Sequence, residues 1–312
     1  MRGGNAWDLA CPACRAALAP ADNDALRCAQ CGATYRREDG IWRFLVDGRE
    51  EAFRKFIEQY ETVRIAEGRR VQNPDHLRAL PFRDLSRKRA YEWSIRSRSF
   101  ETLVRRVVHP LQHSSLKQPR ILDLGSGLGW LAYQLTLRGS EVAAVDISTN
   151  DFDGLGVRKH YDRELLSVQA EFDHLPFQDG TVDLVIYNAS FHYATDFVST
   201  LREALRVLGP RGTIVLMDTP IYRDAWSGAA MVREREDRFE QQYGFRGDAL
   251  RSEGYLTFDR LDSLERELAV RWTLFAPWYG IRWWWRPWVA RLRGSREPAR
   301  FALVIGRRVS ES

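Results

Sequence analysis

The nine residues Ile121-Leu122-Asp123-Leu124-Gly125-Ser126-Gly127-Leu128-Gly129 constrain this chain more than any other stretch. A short apolar run ends in an acid, and three alternating glycines follow. An amphipathic segment then runs from Trp130 to Arg138 and closes at Gly139. That order reads as strand, tight turn, helix. Glycine lacks Cβ, so the turn can take backbone conformations that other residues resist. It also lets a ligand approach main-chain N–H groups at the start of a helix. A dinucleotide fingerprint needs G-x-G-x-x-G/A. Counted from Gly125, its third small residue falls at Trp130, so that pattern is not met.

Further strands follow at regular intervals. Glu141 to Ile147 is a β-rich run carrying Asp146, seventeen residues after Gly129. An acid at the end of a second strand can accept hydrogen bonds from both hydroxyls of a ribose. Asn150 to Val157 is polar and glycine-containing, in place to add another wall to a nucleotide site. A third strand leads into Glu171-Phe172-Asp173-His174-Leu175-Pro176-Phe177, and Val182 to Asn188 is a fourth. A helix from Phe197 to Leu208 ends at Gly209-Pro210, and Gly212 to Asp218 is a fifth strand. Residues 269–275 and 301–306 read as the last two.

Asp-Leu-Gly-Ser-Gly-Leu-Gly at 123–129 resembles the first motif of class I S-adenosylmethionine-dependent methyltransferases. Leu-Pro-Phe-x-Asp-Gly-x-x-Asp-Leu-Val at 175–185 is similar to small-molecule methyltransferases related to quinone C-methylases. The resemblance implies an α/β, Rossmann-like seven-stranded sheet with helices on both faces. It implies S-adenosylmethionine as cofactor and S-adenosylhomocysteine as product. Asp123, Gly125, Ser126, Gly127 and Gly129 would form the first wall of the cofactor site. Asp146 and Ile147 would take the ribose, and Phe172 and Asp173 the adenine. Asn188 would meet the methionine part. His192 is the candidate general base, since an unperturbed pKa of about 6.5 suits proton removal at neutral pH. A histidine that merely shapes the pocket is the equal alternative. Tyr193 and Tyr222 are candidate pocket residues, with Asp218 to Tyr222 on the substrate side. The implied chemistry is in-line displacement on a sulfonium methyl, in which the protein mainly positions its partners.

All four cysteines lie near the start, as Cys11-Pro-Ala-Cys14 and Cys28-Ala-Gln-Cys31 with thirteen residues between. Two such knuckles at this spacing read as a tetrahedral four-cysteine zinc site. With all four positions filled by thiolates, the zinc is structural, folding a module too small for its own core. Cys31 to Leu45, ending Gly40-Ile41-Trp42-Arg43-Phe44-Leu45, is similar to zinc ribbons that precede bacterial methyltransferase domains. Such a ribbon can dock on its own catalytic domain, on a partner protein or on RNA, the first being the expectation here.

The expected organisation is a zinc ribbon at 7–46, a helical linker or lid at 47–117, and a methyltransferase domain at 118–309. In the linker, Phe53, Phe56, Ile57 and Tyr60 share one helix face. A second helix is expected from about Asp84 to Val108, with Tyr91, Ile95, Phe100, Leu103, Val104 and Val107 inward. Arginines 83, 87, 89, 96 and 98 read as a solvated helix face more readily than as an anion site. Residues 223–257 read as a lid-like insertion. Residues 278–298 interleave tryptophan with arginine, which suits a membrane interface, stacking on a ligand, or internal packing.

The composition is 44% hydrophobic and 29% charged, that of a globular protein, with a net charge of +5. The residues from Met1 to Asp8 carry no apolar leader, and no stretch reaches the ~18 apolar residues of a membrane span. The expected location is cytoplasmic, with peripheral membrane contact through 278–293 as a candidate. The expected function is methyl transfer to a small-molecule or lipid-like acceptor at an unassigned O, N or C atom. RNA base methylation is the runner-up, resting on the ribbon and the mild basicity. A non-catalytic S-adenosylmethionine-binding assembly protein is the third reading.

Overall fold

The computed structural model describes residues 7–70, 73–114 and 118–309. Residues 1–6, most of the stretch read for a leader, lie outside these, as do 71–72 and 115–117 of the expected linker. The chain begins with four short antiparallel strands, β1 (Leu18–Asp22), β2 (Ala25–Cys28), β3 (Thr34–Glu38) and β4 (Ile41–Arg43). Helices α1 (Arg49–Ala66), α2 (Pro74–Ala79), α3 (Ala90–Leu103) and α4 (His109–His113) follow. Asn73 starts α2 by accepting from the Asp75 and His76 N–H groups, which are orphaned at any helix start.

Strands and helices then alternate: β5 (Arg120–Leu124), α5 (Trp130–Thr136), β6 (Glu141–Asp146), β7 (Leu166–Gln169), β8 (Val182–Asn188), α6 (Phe197–Val207) and β9 (Leu208–Met217). Strands β5 to β9 pair in parallel. The residues of β5, β6 and β8 are almost wholly buried, as strands covered on both faces must be. The rest comprises β10 (Ile221–Tyr222), α7 (Ala225–Tyr243), β11 (Leu256–Thr257), α8 (Phe258–Leu268), β12 (Val270–Phe275), α9 (Ile281–Trp284), α10 (Arg286–Leu292) and β13 (Leu303–Arg308). Strand β13 lies antiparallel between β9 and β12.

The domain's own strands run in the order β7-β6-β5-β8-β9-β13-β12. The chain winds outward from β5 to β7, then returns to place β8 on the other side of β5. That reversal opens a crevice beyond the C-terminal ends of β5 and β8, where open parallel sheets bind ligands.

The sheet has eleven strands, not the seven expected. The extra four belong to the cysteine module. Strand β4 pairs in parallel with β7, Ile41 opposite Ser167 and Arg43 opposite Gln169, and so covers what would have been an open edge. Cys11, Cys28, Tyr35 and Phe44 share one core with Val168, Leu175 and Phe177 of the larger domain. Trp7 packs edge-on against Phe177, and the Ala10 N–H donates to the Pro176 carbonyl at 3.1 Å. The ribbon therefore docks on its own chain.

The single helix expected from Asp84 to Val108 is also corrected. Residues 84–89 form turns in which Asp84 accepts from the Ser86 and Arg89 N–H groups. These local bonds compete with a helical start. α3 begins only at Ala90, and Val104–Val108 forms a π-helical turn leading into α4. Tyr91, expected inward, is 41% exposed. Of the arginines read as solvated, Arg89 is half-buried in ion pairs with Glu67 and Glu92, and Arg96 is enclosed: burial lowers its pKa, with Asp218 opposing the shift.

Candidate active site

The glycine turn sits at the C-terminal end of β5, with Gly125, Gly127 and Gly129 all at positive φ. At Gly125 the requirement is steric as well as conformational. A Cβ there would collide with the Ser190 side chain and stand 3.3 Å from the Phe172 ring. At Gly127 the space above the backbone is open, the nearest atom to an added Cβ being the Asp153 carbonyl at 3.7 Å. The turn is held over the sheet by Gly125 and Ser126 N–H groups donating to the Val145 carbonyl.

Asp146 ends β6 and faces this turn. Its carboxylate accepts from the Gly127 N–H at 2.8 Å and the Ser148 N–H at 2.9 Å. An ionised carboxylate has about four acceptor positions, so about two remain for a ligand. Burial pushes its pKa up to about 6, against the pull of those two N–H groups.

These groups open onto a cleft of about 880 Å³. Of the residues singled out from the sequence, Gly125, Gly127, Asp146, Ile147, Phe172, Asp173 and Tyr193 line it. Asp173 also accepts from the Thr200 hydroxyl, and burial raises its pKa. α1 roofs the cleft with Phe53, Phe56, Ile57 and Tyr60, the helix face that the sequence periodicity singled out. Tyr193 meets Phe56 and Tyr60 edge-on from below. The roof is clamped at both ends. Arg49 grips the Glu171 carboxylate through Nε and Nη2. Arg64 grips Asp153, with Nη2 at 2.8 Å from Oδ1. Leu250, from the loop after α7, closes one side.

Six of the expected site residues stand elsewhere. Asp123 is fully buried beneath the turn, accepting from the Ala132 N–H at 3.2 Å at the start of α5. It supports the loop from behind. Burial, and then the charge of Asp146, push its pKa up to about 7. Ser126 is buried and turned away from the cleft, and Gly129 begins α5 against Tyr161. The side chain of Asn188 is off the wall, which its neighbours Ala189 and Ser190 supply instead. His192 also misses the wall. Burial, helped by the Arg235 charge, drives its pKa down to about 3, so the ring is neutral and a weak base. Tyr222 lies buried at 3.3 Å from the Arg296 guanidinium, away from the cleft.

A second cleft, of about 1050 Å³, meets the first at Ala189, which lines both. It lies beyond the ends of β8 and β9. Ala189 and Asp218, one at each strand end, both hold left-handed backbone, with φ of 54° and 52°. Non-glycine residues sustain such conformations mainly where surrounding structure imposes them, and they cluster at functional sites. The Ala189 N–H donates to the Met217 carbonyl at 2.8 Å, locking the two ends together. Asp218 accepts from the Ser99 hydroxyl at 2.6 Å, while Ser99 Oγ and Tyr279 OH lie 2.8 Å apart. Its other oxygen is buried with no hydrogen-bond partner. Burial pushes Asp218 up to about 6, opposed by Ser99 and Arg96. Arg96, Arg282 and Arg286 surround it with positive charge.

The cysteine module carries the other cluster. The four Sγ atoms all lie within 4.8 Å of one another, Cys11 to Cys31 at 3.6 Å and Cys14 to Cys28 at 3.4 Å. Four thiolates at about 2.3 Å around a tetrahedral ion stand about 3.8 Å apart.

The segment that builds the glycine turn, Asp146, Asp173 and Asp218's strand has known counterparts. Residues 122–216 match the family model of the methyltransferase domain. This chain carries a methyltransferase domain. The domain is similar to the malonyl-[acyl-carrier protein] O-methyltransferase of Halorhodospira halophila, 31% identical over 112 residues, which are 35% of this chain and 38% of that protein. It is similar to the demethylmenaquinone methyltransferase of Thermus thermophilus, 36% identical over 105 residues, 32% of this chain and 47% of that protein. The chain thus spans less than half the length of either relative. The YcgJ protein of Bacillus subtilis superposes on 69% of this chain and 100% of its own, with a TM-score of 0.49 and 14% identity.

Several wall residues of the methyltransferase domain escaped the sequence reading. Ser190 and Glu171 stood beside motif residues without a role of their own, and Arg49 carried no signal. Asp153 lay in a segment suspected as a wall, but its partner Arg64 is 89 residues away.

Proposed function

We propose that this protein transfers a methyl group from S-adenosylmethionine to a small-molecule acceptor. The single observation that carries the reading is Asp146 facing the open side of the Gly125–Gly127 turn with acceptor capacity to spare. That arrangement suits a nucleoside whose ribose hydroxyls need an acceptor and whose chain needs close backbone approach. When bound, S-adenosylmethionine supplies a methyl group already activated by its sulfonium. The chain's own residues do the rest. Asp146 holds the ribose, Gly125 and Gly127 give the backbone cradle, and Phe172 and Asp173 meet the adenine. α1 excludes water, drawn down by Arg49 on Glu171 and Arg64 on Asp153.

The acceptor enters the second cleft, beyond Ala189. There Asp218, rather than His192, is placed to take a proton, at the carboxylate oxygen that lacks a partner. Its pKa of about 6 leaves it ionised yet basic at neutral pH. The relatives' names, which mention malonyl-[acyl-carrier protein] and demethylmenaquinone, support an acceptor of small-molecule kind. We also infer that Cys11, Cys14, Cys28 and Cys31 hold a structural zinc ion, their spacing leaving no position open for water.

Calorimetric titration tests the reading. One S-adenosylmethionine or S-adenosylhomocysteine should bind per chain, and Asp146→Ala should weaken binding by about a hundredfold through the loss of two charge-assisted hydrogen bonds. Preference for a nicotinamide or flavin nucleotide, or an unchanged affinity in the variant, would sink it.

A further inference from the structure

Helices α9 and α10 run almost as one, since the Trp285 N–H donates to the Ile281 carbonyl and the Val289 N–H to the Trp285 carbonyl. Their inner face is anchored. Trp283 packs against Tyr279 and Phe301 at 5.0 and 5.2 Å, with the Arg286 guanidinium 3.8 Å above its ring. Their outer face is another matter. Ile281, Trp284, Trp285, Trp288 and Leu292 stand at positions i, i+3, i+4, i+7 and i+11, so they form one helical stripe. All are exposed, Trp284 by 52% and Leu292 by 88%, and Trp278 and Val289 extend the patch. Globular surfaces rarely leave an apolar patch of this kind contiguous unless something binds it.

Charge decides what that something is. From Ala276 to Arg296 the chain has no acidic residue and five arginines, at 282, 286, 291, 293 and 296. Arg291 and Arg293, at the end of the stripe, form no ion pair among the described residues. A second copy docking through the same patch would bring these arginines against each other, because a two-fold interface is self-complementary. An anionic bilayer meets both demands at once. Tryptophan rings favour the headgroup level, leucine and isoleucine reach just below it, and arginines at the rim meet lipid phosphates. Among the described residues no helix is long and apolar enough to cross a membrane, so contact is from one side only.

We infer that α9 and α10 seat this protein on the surface of a membrane containing anionic lipid. The second cleft is lined by Arg282, Trp283 and Arg286 of the same helices, so its mouth then lies at the lipid surface. On the methyl-transfer reading, the acceptor is an amphiphile that enters from the lipid; the docking itself does not depend on that reading.

The test is sedimentation of the full chain with vesicles of phosphatidylcholine containing a quarter phosphatidylglycerol, alongside vesicles of phosphatidylcholine alone. The protein should partition onto the anionic vesicles and much less onto the neutral ones. Trp284→Ser with Trp288→Ser should lower the partition coefficient by about a hundredfold, and Arg291→Gln with Arg293→Gln by about tenfold. These side chains are exposed, and unchanged melting temperatures confirm that the variants fold. No association with either vesicle overturns the proposal, as does equal binding by the tryptophan variant. A dimer in sedimentation velocity that Trp288→Ser dissolves also overturns it, in favour of a second copy. Calorimetry with S-adenosylmethionine on the same samples separates the two ideas. Lost cofactor binding with retained vesicle binding refutes methyl transfer and leaves the docking standing.

Discussion

Gly127 donates its backbone N–H to the Asp146 carboxylate at 2.8 Å, joining the glycine turn to the end of the neighbouring strand. The bond makes the turn and the acid one unit, so the protonation state of Asp146 governs both. Burial raises its pKa to about 6. Only the ionised carboxylate keeps enough acceptor positions for two ribose hydroxyls as well as two N–H groups. Cofactor affinity should therefore hold above pH 6 and fall by up to about tenfold per unit below it. Calorimetry at a series of pH values checks this; a flat profile would remove Asp146 from the ribose.

The free protein should show the opposite trend in stability. Asp123, Asp146 and Asp218 are raised from 3.8 to about 7, 6 and 6. A raised carboxyl pKa means the folded chain holds protons more tightly than the unfolded one. Their contribution is fully present below 3.8 and is lost as pH rises through about 6 to 7, by about 1 kcal/mol per unit for each group. Asp218→Asn should flatten part of this slope. Melting temperatures across that window, wild type against variant, give the comparison.

Arg64 and the buried Asp153 hold down the C-terminal end of α1. Arg64→Met leaves a carboxylate buried without its partner, at a cost of about 3 kcal/mol. The melting temperature should drop, and amide exchange should quicken along residues 49–66 more than in the sheet. Bound S-adenosylhomocysteine should also leave faster. Uniform exchange across the chain would mean that the ion pair does not fasten the roof.

Gly125→Ala fails on two counts, because φ is 73° and the new methyl meets the Ser190 side chain. Together these should cost about 2–4 kcal/mol of stability. Gly127→Ala, at φ 50° but with open space above it, should lose only the backbone-strain part, about 1 kcal/mol, yet bind cofactor poorly, since Gly127 lines the cleft. Denaturant unfolding and calorimetry on the pair separate the two roles.

Elemental analysis should find about one zinc per chain. Because β4 is a strand of the main sheet and Cys11 and Cys28 share its core, metal removal should reach beyond the ribbon. Strong chelation should lower the melting temperature of the whole protein and loosen β7, and Cys14→Ser should act likewise. An unshifted melt after complete chelation would show that thiols alone hold the module.

Much of the site was legible because it is local. The glycine turn needs glycine for backbone reasons that act within a few residues. The two cysteine knuckles are chemically specific at fixed spacing, and β6 and β9 run straight into an acid, Asp146 and Asp218. At Asp123 and His192 the residue type is local, but where its side chain ends up is not. Asp123 sits two residues before the first glycine, yet strand alternation turns it under the loop instead of into the cleft. His192 has the right chemistry for a base, but enclosure by its neighbours strips that chemistry away.

The sequence by itself determined the run of parallel strands from β5 to β9, the glycine turn at Gly125–Gly127 with Asp146 beside it, and the four-cysteine cluster, since each follows from propensities and geometry within a short span. Only the tertiary structure decided the clamps on α1, the placing of Asp218 in the second cleft and of His192 outside both, and the fusion of the ribbon to β7. Those features depend on residues from Ser99 to Asp218 or from Arg64 to Asp153 meeting across the fold, and on the desolvation that packing imposes. Neither can be read from a chain whose partners are still unknown.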